Sequence, residues 1–105
     1  MHLPLGLLAR IEAKPDHVGE VHDLLTGALS LAQAEEGTVA WFAFRLGPTT
    51  FGVFDAFGTD DARRAHLEGR IAQALLGQGA RLLAETPDIR PVDILATKLP
   101  APTPA

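Results

Sequence analysis

The chain has 105 residues, of which 47% are hydrophobic, no cysteine, and a formal charge of −4 at pH 7. That length suits one ordinary domain, and the acidic balance with nine scattered Lys and Arg argues against duplex nucleic acid, which is usually met by a basic stripe. Without cysteine there is no disulfide framework, no thiolate metal site and no thiol nucleophile, in keeping with a reducing cytoplasm. A positive mean hydropathy is rich for so small a monomer and points to apolar surface covered by a second subunit.

Met1 to Ala9 is apolar but has no basic leader, and Arg10 closes it after too few residues to cross a bilayer, so neither a signal nor a membrane span is expected. Leu5 to Ala13 alternates with the period of a strand: Leu5, Leu7, Ala9, Ile11 and Ala13 share one face, while Leu8, Arg10 and Glu12 share the other. Lys14-Pro15-Asp16 ends it. From Asp16 the apolar positions become Val18, Val21, Leu25, Ala28, Leu29 and Ala32, which is helical spacing, and Glu36-Gly37 closes that helix.

Thr38 to Leu46 and Thr50 to Phe57, separated by Gly47-Pro48-Thr49, read as a hairpin whose register places Arg45 beside Phe51, Ala43 beside Val53 and Trp41 beside Asp55. Phe42, Phe44 and Phe54 then point the opposite way. Thr59-Asp60-Asp61 caps a second helix running through Ala62, Ala65, His66, Gly69, Ala72 and Leu76. Its glycines 69, 77 and 79 predict a break, with Ala80 to Glu85 as a separate helical turn. Asp88 to Lys98 is the fourth strand, its start placed on a sheet edge by Pro91, and residues 100–105 form a proline-rich extended tail beyond a single domain over 1–99.

The order β-α-β-β-α-β predicts an α+β, ferredoxin-like antiparallel sheet with both helices on one face. The face carrying Trp41, Phe51, Val53 and Phe57 is expected to be the one the helices leave open, and closure of that face by a twin gives a homodimer with a shared interior.

Leu7-Leu8-Ala9-Arg10-Ile11-Glu12-Ala13-Lys14-Pro15, Glu36-Gly37-Thr38-Val39-Ala40-Trp41, Phe51-Gly52-Val53-Phe54-Asp55-Ala56-Phe57 and Ala65-His66-Leu67 together resemble the antibiotic biosynthesis monooxygenase (ABM) domain family. The resemblance implies a dimeric α+β barrel and, as in the family's characterised members, oxidation of phenols or quinols by O2, often without metal or flavin. It matches the family's second-strand aromatic to Trp41, its third-strand acid to Asp55, the aromatic two residues later to Phe57, and its second-helix histidine to His66. Where many members carry a second histidine, this chain has Gly69-Arg70-Ile71. The barrel is also similar to haem-degrading monooxygenases, whose Asn, Trp and His would fall on Ala9, Phe57 and His66, leaving only the histidine in common.

Imidazole can remove a phenolic proton near neutral pH, which makes His66 the candidate base. Asp55 is read either as an ion-pair partner of Arg45 across the hairpin or as the group that orients His66. Arg45 is a candidate stabiliser of phenolate charge. Trp41, Phe51, Val53 and Phe57 would wall a site for a small aromatic molecule and O2. His17 and His22 project about 140° apart on a helix and cannot share a metal. The acids Glu12, Asp16, Glu20, Asp23, Glu35 and Glu36 do not cluster at ligand spacing and are read as a solvated face. The rival reading is a noncatalytic dimer that binds a small ligand or serves as an interaction module.

Overall fold

The computed structural model describes residues 3–100, so His2 and residues 101–105 of the proline tail lie outside the described residues. The elements are β1 (Leu5–Glu12), a 3-10 turn (Pro15–His17), α1 (Val18–Gly27), α2 (Leu29–Ala34), β2 (Thr38–Arg45), β3 (Thr50–Phe57), α3 (Asp60–Leu67), α4 (Arg70–Leu82) and β4 (Asp88–Asp93). The four strands form one sheet in the order β2-β3-β1-β4 with every neighbouring pair antiparallel, which is the ferredoxin-like α+β arrangement. The hairpin register is the one the sequence predicts, pairing Trp41 with Asp55, Ala43 with Val53 and Arg45 with Phe51.

Three elements depart furthest from expectation. The first helix divides at Ala28, whose N–H is shared between the carbonyls of Leu24 and Leu25, and a 3-10 turn precedes it. The second helix breaks at Gly69, yet α4 runs through Gly77 and Gly79 and takes Ala80 to Leu82 as its last turn. Burial of Ile71, Leu75 and Leu82 along one stripe outweighs a penalty of roughly 1 kcal/mol per glycine. Strand β4 stops at Asp93 because its partner β1 begins at Leu5; one further bond, from Ile94 N–H to the Pro4 carbonyl, ends the pairing.

The covered face of the sheet is also the reverse of the expected one. Ile11 pairs with Phe51, Ala9 with Val53 and Leu7 with Asp55, and residues directly opposite one another share a face. Strand β1 points Arg10 and Glu12 the other way, so its apolar face must take the helices, and the register carries Phe51, Val53, Asp55 and Phe57 with it. Those side chains and Trp41 therefore lie beneath the chain's own helices, in a core with Ile11, Val21, Leu25, Leu75 and Leu82. The face left open carries Leu8, Phe42 and Phe44, exposed by 42%, 53% and 37%, beside the half-buried Phe54 and Val92. On that face the Phe44 ring lies over Gly52, where a Cβ would collide with it, and the Phe54 ring sits against Gly6.

Candidate functional site: a buried histidine between two carboxylates

Helix α3 starts at Thr59, whose hydroxyl accepts the Ala62 N–H at 3.1 Å, and its first-turn acids Asp60 and Asp61 sit at the positive end of the helix. This start fixes the helix phase so that His66 faces the sheet and is only 8% exposed. Its ring rests on Phe57 with centroids 5.3 Å apart.

Both imidazole nitrogens are taken by carboxylates. Nε2 lies 2.7 Å from Asp55 Oδ2, and Nδ1 lies 2.5 Å from Glu35 Oε1. A carboxylate oxygen against each nitrogen favours the doubly protonated ring, the imidazolium, which donates on both sides. Burial by itself pushes the imidazole pKa down. The hydrogen bonds to Asp55 and Glu35 and their negative charges outweigh that effect and raise it to about 9. Asp55 is 2% exposed and Glu35 is held further by the Thr38 hydroxyl, which donates to the same Oε1 at 2.8 Å.

Beside this cluster, between sheet and helices, is a partly open cavity of about 300 Å³. Leu7, Ala9, Val53 and Ile89 form its floor, Leu25, Leu31, Ile71 and Leu75 contribute to its roof, and Asp55 and His66 reach its wall. Such a space is large enough for a small ring system, with convergent polar groups at one place on an apolar wall.

Of the residues singled out from the sequence, the fold thus gathers His66, Asp55 and Val53 at one cavity and sets Phe57 behind His66. Trp41 packs against both core clusters, Phe51 is buried in the main core, and neither lines the cavity; the indole Nε1 is buried without a partner. Arg45 stays at the exposed end of the hairpin, its guanidinium over the Phe51 ring and bonded to the carbonyls of Gly47 and Pro48. It makes no pair with Asp55, whose side chain is turned beneath the helices to His66. His17 and His22 bond the neighbouring acids Glu20 and Asp23.

Glu35 was missed as a site residue and assigned to a solvated face. The signal was nonetheless present. Val21, Leu25, Ala28, Ala32 and Glu35 are spaced four, three, four and three apart, so Glu35 continues the buried stripe of the helix, where an acid needs a partner.

The fold is shared with two proteins described as a "putative antibiotic biosynthesis monooxygenase". The one from Nitrosomonas europaea has a TM-score of 0.78 and 17% identity, over 88% of this chain and 99% of that one. The other, from Caulobacter crescentus, has a TM-score of 0.77 and 18% identity, over 90% and 92%. The scaffold is therefore ABM-like. The chain belongs to the same family as the NE2512 protein of unknown function from Nitrosomonas europaea, with 52% identity over 95% of this chain and 97% of that one and a TM-score of 0.92. No family profile and no curated protein matches the sequence. Among the described residues no helix is long and apolar enough to cross a membrane.

Proposed function

We propose that the protein is a cytoplasmic, homodimeric oxygenase that oxidises a small hydroxylated aromatic or quinol with O2, using no metal or flavin. The observation that carries this reading is the Asp55–His66 pair on the wall of a largely apolar cavity of about 300 Å³. The ABM-like scaffold is consistent with it. A second copy seated on the open face would cover Leu8, Phe42 and Phe44, a patch too apolar for a solvated sheet.

In this mechanism the hydroxylated ring lies on the aliphatic floor with its hydroxyl at Asp55 and His66. At neutral pH the pair is a carboxylate and an imidazolium. Loss of one proton from the imidazolium readies the pair to take the phenolic proton, and a base with a pKa of about 9 is well matched to a phenol. The electron-rich phenolate then reduces O2 directly. One oxygen atom is inserted into the ring and the other leaves as water, so that quinol plus O2 gives hydroxyquinone plus water with the substrate as sole reductant. The protein supplies the base, orientation and exclusion of water.

The test is oxygen uptake on a panel of quinols by the parent and by His66→Ala and Asp55→Asn. Both variants should lose on the order of 10²-fold in rate, and the parent rate should climb as pH approaches about 9. Equal rates for parent and His66→Ala would remove the assigned base. Quinol binding with no uptake by the parent would favour a noncatalytic binding module.

A further inference from the structure

We propose that Glu35 is a positioning residue for the Asp55–His66 pair: by holding Nδ1 it turns Nε2 toward Asp55 and sets how firmly the pair holds a proton. This rests on the reading of Asp55 and His66 as the proton acceptor. It adds a group from a third part of the fold, the turn between α2 and β2, which the sequence leaves among surface acids.

The geometry argues for a dedicated role. A carboxylate that only balanced surface charge would face water, whereas Glu35 Oε1 accepts from both His66 Nδ1 at 2.5 Å and Thr38 Oγ1 at 2.8 Å. The space for it is kept by a small residue: a Cβ on Gly69 would come within 2.9 Å of Glu35 Oε2. The turn itself is pressed onto α3, since a Cβ on Gly37 would come within 2.7 Å of the Ala62 methyl. The carboxylate thus reaches the ring from the side opposite Asp55. With Nδ1 fixed, rotation of the ring about its Cβ–Cγ bond would break a charge-assisted hydrogen bond, so Nε2 stays on Asp55.

The charges that bear on the ring come from few places. Asp55 faces it from β3 and Glu35 from the α2–β2 turn. On its own helix Arg63 and Arg64 pair with Asp60 one turn away. Strands β1 and β2 also pack against α3, but Arg10 and Glu12 pair with each other, Glu12 also accepts from Thr49 and Thr50, and Arg45 bonds its own hairpin. On α4, Arg81 pairs with Glu20 and Arg70 is exposed. Changing Glu35 therefore removes one of the two carboxylates in contact with the ring, and its effect is readable at the ring itself.

The experiment follows the His66 imidazole by NMR titration in the full chain, for the parent, Glu35→Gln and Gly69→Ala, with quinol-dependent oxygen uptake across the same pH range. Glu35→Gln keeps the shape and an acceptor oxygen but removes the charge. The His66 midpoint should fall from about 9 by one unit or more, and the rise of uptake with pH should move by the same amount, with KM changed less than about twofold. Gly69→Ala, which crowds the carboxylate without altering its charge, should shift the midpoint the same way by less. Were Glu35→Gln unable to fold, Gly69→Ala would decide on the same readout. An unmoved His66 midpoint in whichever variants fold would overturn the proposal. If the parent consumes no oxygen with any quinol, the oxygenase reading falls, while the ring titration still judges Glu35.

Discussion

Replacing His66 by Gln should abolish a pH dependence of stability that the parent shows between about pH 7 and 9.5. His66 has a folded pKa of about 9 against an ordinary 6.5. A raised imidazole pKa contributes stability that is complete below the unfolded value and is lost as pH rises through the folded one. Linkage puts the contribution at about 2.5 kcal/mol near pH 7 and close to nothing by about pH 9.5. With a denaturant slope of about 1–1.5 kcal/mol per M, the parent's urea midpoint should fall by about 1.5–2.5 M over that interval. His66→Gln should start several kcal/mol less stable, because Asp55 loses its partner in a buried setting, and its midpoint should then stay level. Urea titrations by circular dichroism at a series of pH values measure both. A parent midpoint that stays level from neutral pH to about 9.5 would refute the clamped imidazolium.

Thr59→Ala removes the hydroxyl that caps α3 and should cost about 1 kcal/mol, read as a lower urea midpoint at constant slope. Gly37→Ala drives a methyl into Ala62 and should cost about 1–3 kcal/mol; a thermal midpoint equal to the parent's would show that the α2–β2 turn is not pressed against α3. Phe42→Ser combined with Phe44→Ser should turn the proposed dimer into a monomer in sedimentation at micromolar concentration, and a monomeric parent would dispose of the assembly.

Much of the fold could be read directly because local pattern and tertiary structure agree. The alternation of β1, the hairpin register and the cap at Thr59 all appear as expected. The side of the sheet that takes the helices could not be read from the hairpin alone, since both of its faces carry phenylalanine. The answer lay in β1, where Arg10 and Glu12 rule out one face, and it required knowing that β3 rather than β2 is β1's neighbour. For the site, His66 and Asp55 were visible as residue types, but their contact joins a helix to a strand, and spacing along the chain carries no such distance. Arg45 shows the opposite error: a cation on the same strand face as Trp41 is spent on its own turn, because the hairpin's free carbonyls are closer than any carboxylate.

The pairing of Gly52 with Phe44 ties the smoothness of the exposed sheet surface to atoms that are missing. A phenyl group can recline on the backbone only where no side chain stands beneath it, so even a methyl at position 52 would prop the ring upright. Position 52 is itself buried, yet it would decide whether a flat apposing surface meets a level floor or a protruding edge.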